Sequence, residues 1–169
     1  MTARSGNDRT MPGPSEPGRS IPDFSLPAST GQTLGLDSYR GKTPLAIFFL
    51  PSVENDQDLA LLRRYDEHLA DFGKQRSQVL GVVRAQARTV RDLADSMGLH
   101  LPLLADASGA MIRDFGVAEE DGQTRHALIV SDKEGNLVRR FDPAPVTDQV
   151  EAALATVRAL GSAALESTD

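Results

Sequence analysis

The sequence predicts a mixed α/β domain, a central sheet with helices on both faces, and three observations point to it. Two continuous apolar runs of strand length, Leu45–Leu50 and Val79–Val83, are each followed by a segment with helical apolar spacing, as expected of buried strands joined by crossover helices. Two further apolar stretches, Ala127–Val130 and Leu137–Phe141, flank the turn signal Asp132-Lys133-Glu134-Gly135, which reads as a β-hairpin. A last helix-period segment from Val146 to Leu160 supplies another layer.

Residues 1 to 20 carry Pro12, Pro14, Pro17, Gly13 and Gly18 without apolar periodicity, a composition that cannot bury enough surface to offset the entropy of ordering. They are predicted to be a disordered tail, with the domain at 21–161 and a second tail at 162–169. After the first strand, Leu59, Leu62, Tyr65, Leu69 and Phe72 recur at steps of three and four, predicting one helix from Asp56 to Gly73. After the second strand, Thr89 stands as N-cap of a helix with Val90, Leu93, Ala94 and Met97 on its apolar side and Gly98 at its end. Leu101–Leu104 reads as a short extended piece, and residues 109–115 as a short helix closed by Gly116. In the final helix Val150, Ala153, Leu154 and Val157 face inward.

Length and composition suit one soluble globular domain: 169 residues, 40% hydrophobic and 25% charged. With 5% aromatics and no Trp, the core is expected to rest on aliphatic side chains. A net charge of -6 argues against nucleic-acid binding, which draws its non-specific affinity from Lys and Arg. The pairs Arg63-Arg64 and Arg139-Arg140 read as solvated positions. No stretch approaches the ~20 apolar residues of a membrane span, and the opening MTARSGNDRT has no apolar core of a signal peptide; a cytoplasmic location is expected. The chain has no Cys, so disulfides, thiolate metal sites and thiol nucleophiles are excluded.

Several local phrases occur in a telling order: Ile21-Pro22-Asp23-Phe24-Ser25-Leu26-Pro27, Leu36-Asp37-Ser38-Tyr39-Arg40-Gly41-Lys42, Leu45 to Pro51, Val79-Leu80-Gly81-Val82, residues 98 to 106 (GLHLPLLAD) and Phe115-Gly116-Val117. Together they resemble the peroxiredoxin branch of the thioredoxin superfamily, the alkyl hydroperoxide reductase and thiol-specific antioxidant family, over residues 21 to 160. The resemblance implies a thioredoxin-like (peroxiredoxin-type) fold and an oxidoreductase lineage. That family's peroxidatic motif, P-x-x-x-T-x-x-C, lies at the end of the first central strand and the start of the next helix, where a helix N-terminus favours a thiolate. Pro51 matches its first residue, Asn55 the Thr position and Asp58 the Cys position. The family's remote arginine is matched by Arg125, and His126 or Ala127 stands where thioredoxins place a cis-proline.

These matches define a vestigial pocket of Pro51, Asn55, Asp58, Arg125 and His126. A carboxylate forms neither a sulfenic acid nor a mixed disulfide, so the peroxidase cycle is closed. Asp58 keeps only the negative charge at a helix start, and a contact between Asp58 and Arg125, directly or through one water, is expected. The plainer reading of Asp58 is an early-helix acid worth about 0.3–1 kcal/mol, and of Asn55 or Asp56 an N-cap. The run Glu54 to Asp58 fails as a calcium loop because Leu59 stands where Gly is required. His68, His100 and His126 lie in different elements without metal-ligand spacing, and no phosphate-cradling loop or nucleophile elbow is present. No cofactor is implied.

Three functions follow. The first is a non-catalytic binding or regulatory homologue that holds a protein partner or small anion in the old pocket. The second is a non-redox enzyme using Asp58 and Arg125, with Asn55 and His126, on an anionic substrate. The third is an interaction module using exposed surfaces, a homodimer included.

Overall fold

The computed structural model of the chain describes residues 16–145 and 147–167, the stretch 162–167 by its backbone alone. Residues 1–15 of the predicted tail, the expected helix start Val146 and the last two residues lie outside the described set. In chain order the elements are β1 (Ser25–Pro27), β2 (Thr33–Gly35), β3 (Leu45–Leu50), α1 (Asp56–Glu67), α2 (Leu69–Lys74), β4 (Gln78–Val83), α3 (Ala87–Met97), β5 (Leu103–Ala105), α4 (Ala110–Asp114), β6 (Ala127–Ser131), β7 (Leu137–Phe141) and α5 (Gln149–Ser167). A five-stranded mixed sheet has the order β5-β4-β3-β6-β7, parallel from β5 to β3 and antiparallel from β3 to β7. β1 and β2 form a separate antiparallel hairpin.

The strictly alternating sides of the central strands divide the core in two. Ala46, Phe48, Leu50, Val79, Leu128 and Val130 face a layer that contains α1, α2, α3 and α5. Leu45, Ile47, Phe49, Leu80, Val82, Ala127 and Ile129 face α4 and the N-terminal segment around Ile21, Phe24 and Leu36. Helices thus cover both faces, as the sequence predicts. On the α1 side Phe48 stacks on Tyr65 with ring centroids 3.9 Å apart, and the Tyr65 hydroxyl donates to Gln149 Oε1 at 2.7 Å. Among the described residues no helix is long and apolar enough to cross a membrane.

Four boundaries differ from expectation. The helix expected over 56–73 breaks at His68, whose N–H is shared between the carbonyls of Arg64 and Tyr65 while its Nδ1 lies 2.9 Å from Arg64 O. α3 begins at Ala87 with Gln86 as N-cap, so Thr89 sits inside the first turn; Gly98 ends the helix in the left-handed region at φ 65, as predicted. α5 continues past Leu160 to Ser167, since Ala163, Ala164, Leu165 and Glu166 are strong helix formers. Gly18 and Arg19, within the expected tail, are also tied down: Gly18 N donates to Leu137 O, and Leu137 N to Arg19 O.

Candidate functional site

The pairings Leu50↔Val83, Val83↔Ala105 and Phe49↔Ala127 bring the C-terminal ends of β3, β4 and β5 and the start of β6 to one edge. Ligands of open α/β sheets bind outside such strand ends. β3 delivers the chain to Pro51, which is exposed, and the turn reaches Asn55 with extended backbone, φ -89 and ψ 130. Asn55 Oδ1 accepts from Gln57 N at 2.7 Å and from Asp58 N at 3.3 Å. Asn55 is therefore the N-cap of α1, satisfying donors that the first turn leaves free.

Asp58, in the first turn of α1, is buried at 2% exposure. Its Oδ1 accepts from His126 Nε2 at 2.5 Å, with the imidazole 23% exposed. The ring is therefore anchored from inside and reaches solvent at its other end. His126 is fixed further by its carbonyl, which accepts from Ala144 N at 2.8 Å.

No direct contact between Asp58 and Arg125 is formed. Arg125 Nε and Nη2 donate to Asp142 Oδ1 and Oδ2 at 2.9 and 2.7 Å. Its Nη1 donates to Glu119 Oε2 at 2.9 Å and Ala118 O at 3.2 Å, and Nη2 also to Gly116 O at 2.6 Å. The reason is strand parity. His126 is in phase with Leu128 and Val130, which face α1, whereas Arg125 is in phase with Ala127 and Ile129, which face α4. Only one of two adjacent residues can look toward Asp58, and it is the histidine.

The α4 side carries a second group that the sequence reading missed. Asp142 accepts from both Arg125 and Arg140, the latter at 2.5 Å from Oδ2, and Arg140 also donates to Phe115 O and Gly116 O. Arg140 is only 12% exposed in its side chain, which corrects its reading as a solvated position; Arg139 beside it is exposed, 4.4 Å from the ring centre of Phe141. The hydrogen bond to Asp142 is the main cause holding the Arg125 guanidinium above its ordinary range. Burial pushes the Asp142 carboxyl up, but hydrogen bonds from Arg125 and Arg140 outweigh it and hold the group below the ordinary value of 3.8. Glu119 lies six and Asp142 17 residues from Arg125, and nothing in that spacing singles them out.

The other histidines stand apart from this edge. His68 contacts Arg64 O at the α1–α2 break, and His100 is largely exposed beside Asp66. Asp66 Oδ1 instead accepts from the backbone N–H groups of His100 and Leu101. No group of three or more potential metal ligands occurs among the described residues. Chemically, the edge offers a carboxylate–imidazole pair able to hold and orient a proton, and no sulfur nucleophile.

The AhpC/TSA family profile matches residues 17–140. The chain belongs to the AhpC/TSA family: it is a peroxiredoxin-like protein of the thioredoxin superfamily, and it contains no cysteine. It is 30% identical to peroxiredoxin-2 of Mus musculus over 154 residues, covering 84% of this chain and 77% of that protein. A putative peroxiredoxin of Mycobacterium tuberculosis is 26% identical over 129 residues, covering 72% of this chain and 82% of that protein. The crystal structure of peroxidoxin BcpB from Mycobacterium tuberculosis superposes with a TM-score of 0.77 at 23% identity, covering 86% of this chain and 97% of that one; this likeness speaks for the fold alone.

Proposed function

We propose that this chain is a non-catalytic binding or regulatory member of its family, without thiol peroxidase turnover. The observation that carries the reading is Asp58, aligned by the Pro51-to-Asp58 motif with the family's peroxidatic cysteine, buried and hydrogen-bonded to His126. Reduction of a peroxide by a thiolate leaves a sulfenic acid that a second thiol resolves; a carboxylate has no equivalent state. Arg125, saturated by Asp142, Glu119 and two carbonyls, has little left to offer an anion beside Asp58. The test is hydrogen peroxide consumption by the purified chain with dithiothreitol or thioredoxin as donor. Background rates are expected, and thiol-dependent turnover that scales with protein concentration would end the proposal.

One observation favours a second reading, a non-redox activity. In this reading the hydrogen bond between Asp58 and His126 would let His126 act as base with Asp58 as its positioning residue, the orienter–base arrangement of many hydrolytic sites, in place of the Asp58–Arg125 pair. Hydrolysis of p-nitrophenyl acetate by wild type and by His126→Asn tests it. A rate lost in the variant supports His126 as base, and equal rates exclude it.

A further inference from the structure

We propose that Arg84 and Arg113 form a binding site for a compact phosphate-type anion at the carboxyl edge of the parallel strands. The proposal goes beyond the reading centred on Asp58 and places a second site elsewhere on the same sheet edge, with none of the residues around Asp58.

Arg84 directly follows β4, and Arg113 lies on α4. Both side chains converge on Gly109, the residue before α4, which adopts the left-handed region at φ 79. A Cβ placed on Gly109 would stand 3.2 Å from Arg113 Nη1 and 3.2 Å from both Cζ and Nε of Arg84. Two guanidinium groups thus share one small space, which exists because residue 109 has no side chain. A third loop joins them: Arg84 Nη1 lies 3.4 Å from Gly122 O.

No carboxylate neutralises this pair among the described residues. Arg19, Arg40, Arg64, Arg125 and Arg140 all have acidic partners; Arg84 and Arg113, both exposed, have none, and unlike the exposed Arg88 and Arg91 they meet at one glycine. None of the nearby acids forms an ion pair with either arginine among the described residues. Asp106 is buried, with Oδ2 accepting from Ile112 N and Oδ1 lacking a hydrogen-bond partner. Glu119 is held by Arg125, and Asp121 accepts from Gln123 N. Each arginine uses one nitrogen on a carbonyl, Arg84 on Gly122 and Arg113 on Ser108. Nε and Nη2 of both have no acceptor among the described residues.

Two like charges in contact with one point repel, and a chain of net charge -6 has acids enough to neutralise them if the fold called for it. An anion bound between the forks removes that repulsion, and guanidinium groups suit phosphate oxygens because they donate in parallel pairs. The position agrees: the carboxyl ends of parallel strands are where open α/β sheets take ligands.

Calorimetric titration of the full chain at low ionic strength tests the proposal, with inorganic phosphate, pyrophosphate and phenyl phosphate as probes. Saturable one-to-one binding is expected for at least one probe, weakened about tenfold or more by Arg84→Gln or Arg113→Gln and unchanged by Arg88→Gln and Arg91→Gln, exposed α3 arginines without acidic partners. The comparison of inorganic with phenyl phosphate separates a free from an esterified anion. Absence of saturable binding overturns the site, and so does equal weakening by the α3 variants, which would mean diffuse attraction. Peroxidase turnover, were it found, would leave this result standing, and failed binding here would leave the absence of thiol turnover untouched.

Discussion

Arg125 and His126 are neighbours in the chain and lead to opposite sides of the sheet. On the α1 side, one buried carboxylate meets one partly exposed imidazole above an apolar core that contains Phe48, Leu61 and Tyr65. On the α4 side, two guanidinium groups, Asp142, Glu119 and the carbonyls of Phe115, Gly116 and Ala118 form a connected set of charge-assisted hydrogen bonds. The α1 side holds a single pair with one end open to water; the α4 side is saturated. The difference teaches that strand parity, set by the core residues Ala127 to Val130, chose the partners before attraction between opposite charges could.

The comparison breaks most readily at Asp142. Asp142→Ala leaves Arg125 and Arg140, 29% and 12% exposed in their side chains, with no shared carboxylate. A loss of about 2 kcal/mol is expected, between the worth of an exposed pair and the penalty for breaking a buried one. It is read as a lower urea midpoint at unchanged slope. The sign of the pH dependence follows from the lowered Asp142 group. Its contribution is complete above the unfolded aspartate value, about 4, and fades as pH falls through the lower folded value. The stability gap between wild type and Asp142→Ala should therefore stay constant from pH 7 to about 5 and close in more acid solution. A gap as wide at pH 2 as at pH 7 would show that packing, not charge, is what Asp142 supplies.

How far the sequence could be read follows the same physics. The strands Leu45–Leu50 and Gln78–Val83 were legible because burial on both faces writes a continuous apolar run. The hairpin of β1 and β2 was not, since strands of three residues are too short to establish a period. The break at His68 was hidden because Tyr65 and Phe72, on its two sides, are buried in the same core and keep one apolar stripe running through it. At the site, Asn55 as N-cap was written in the side-chain type. The Asp58–His126 pair was legible in principle, from the alternation of His126, Leu128 and Val130. Asp142 and Glu119 were not, because what brings them to Arg125 is the return of β7 beside β6 and the loop after α4, both tertiary facts.

The smallest effect sharpens the comparison from the other side. Asp58→Ala removes the acceptor for His126 Nε2, but the imidazole is 23% exposed, and water can take the vacated position. A cost of about 1 kcal/mol is expected, the net worth of one hydrogen bond. Asp58→Asn keeps an acceptor oxygen in the same place and should cost only a few tenths, with the deletion and the isostere measured by urea unfolding at pH 7. If Asp58→Ala instead lost more than Asp142→Ala, the open α1-side pair would be the anchored one, and the saturated α4-side set would have to be held by its backbone carbonyls rather than by its carboxylate.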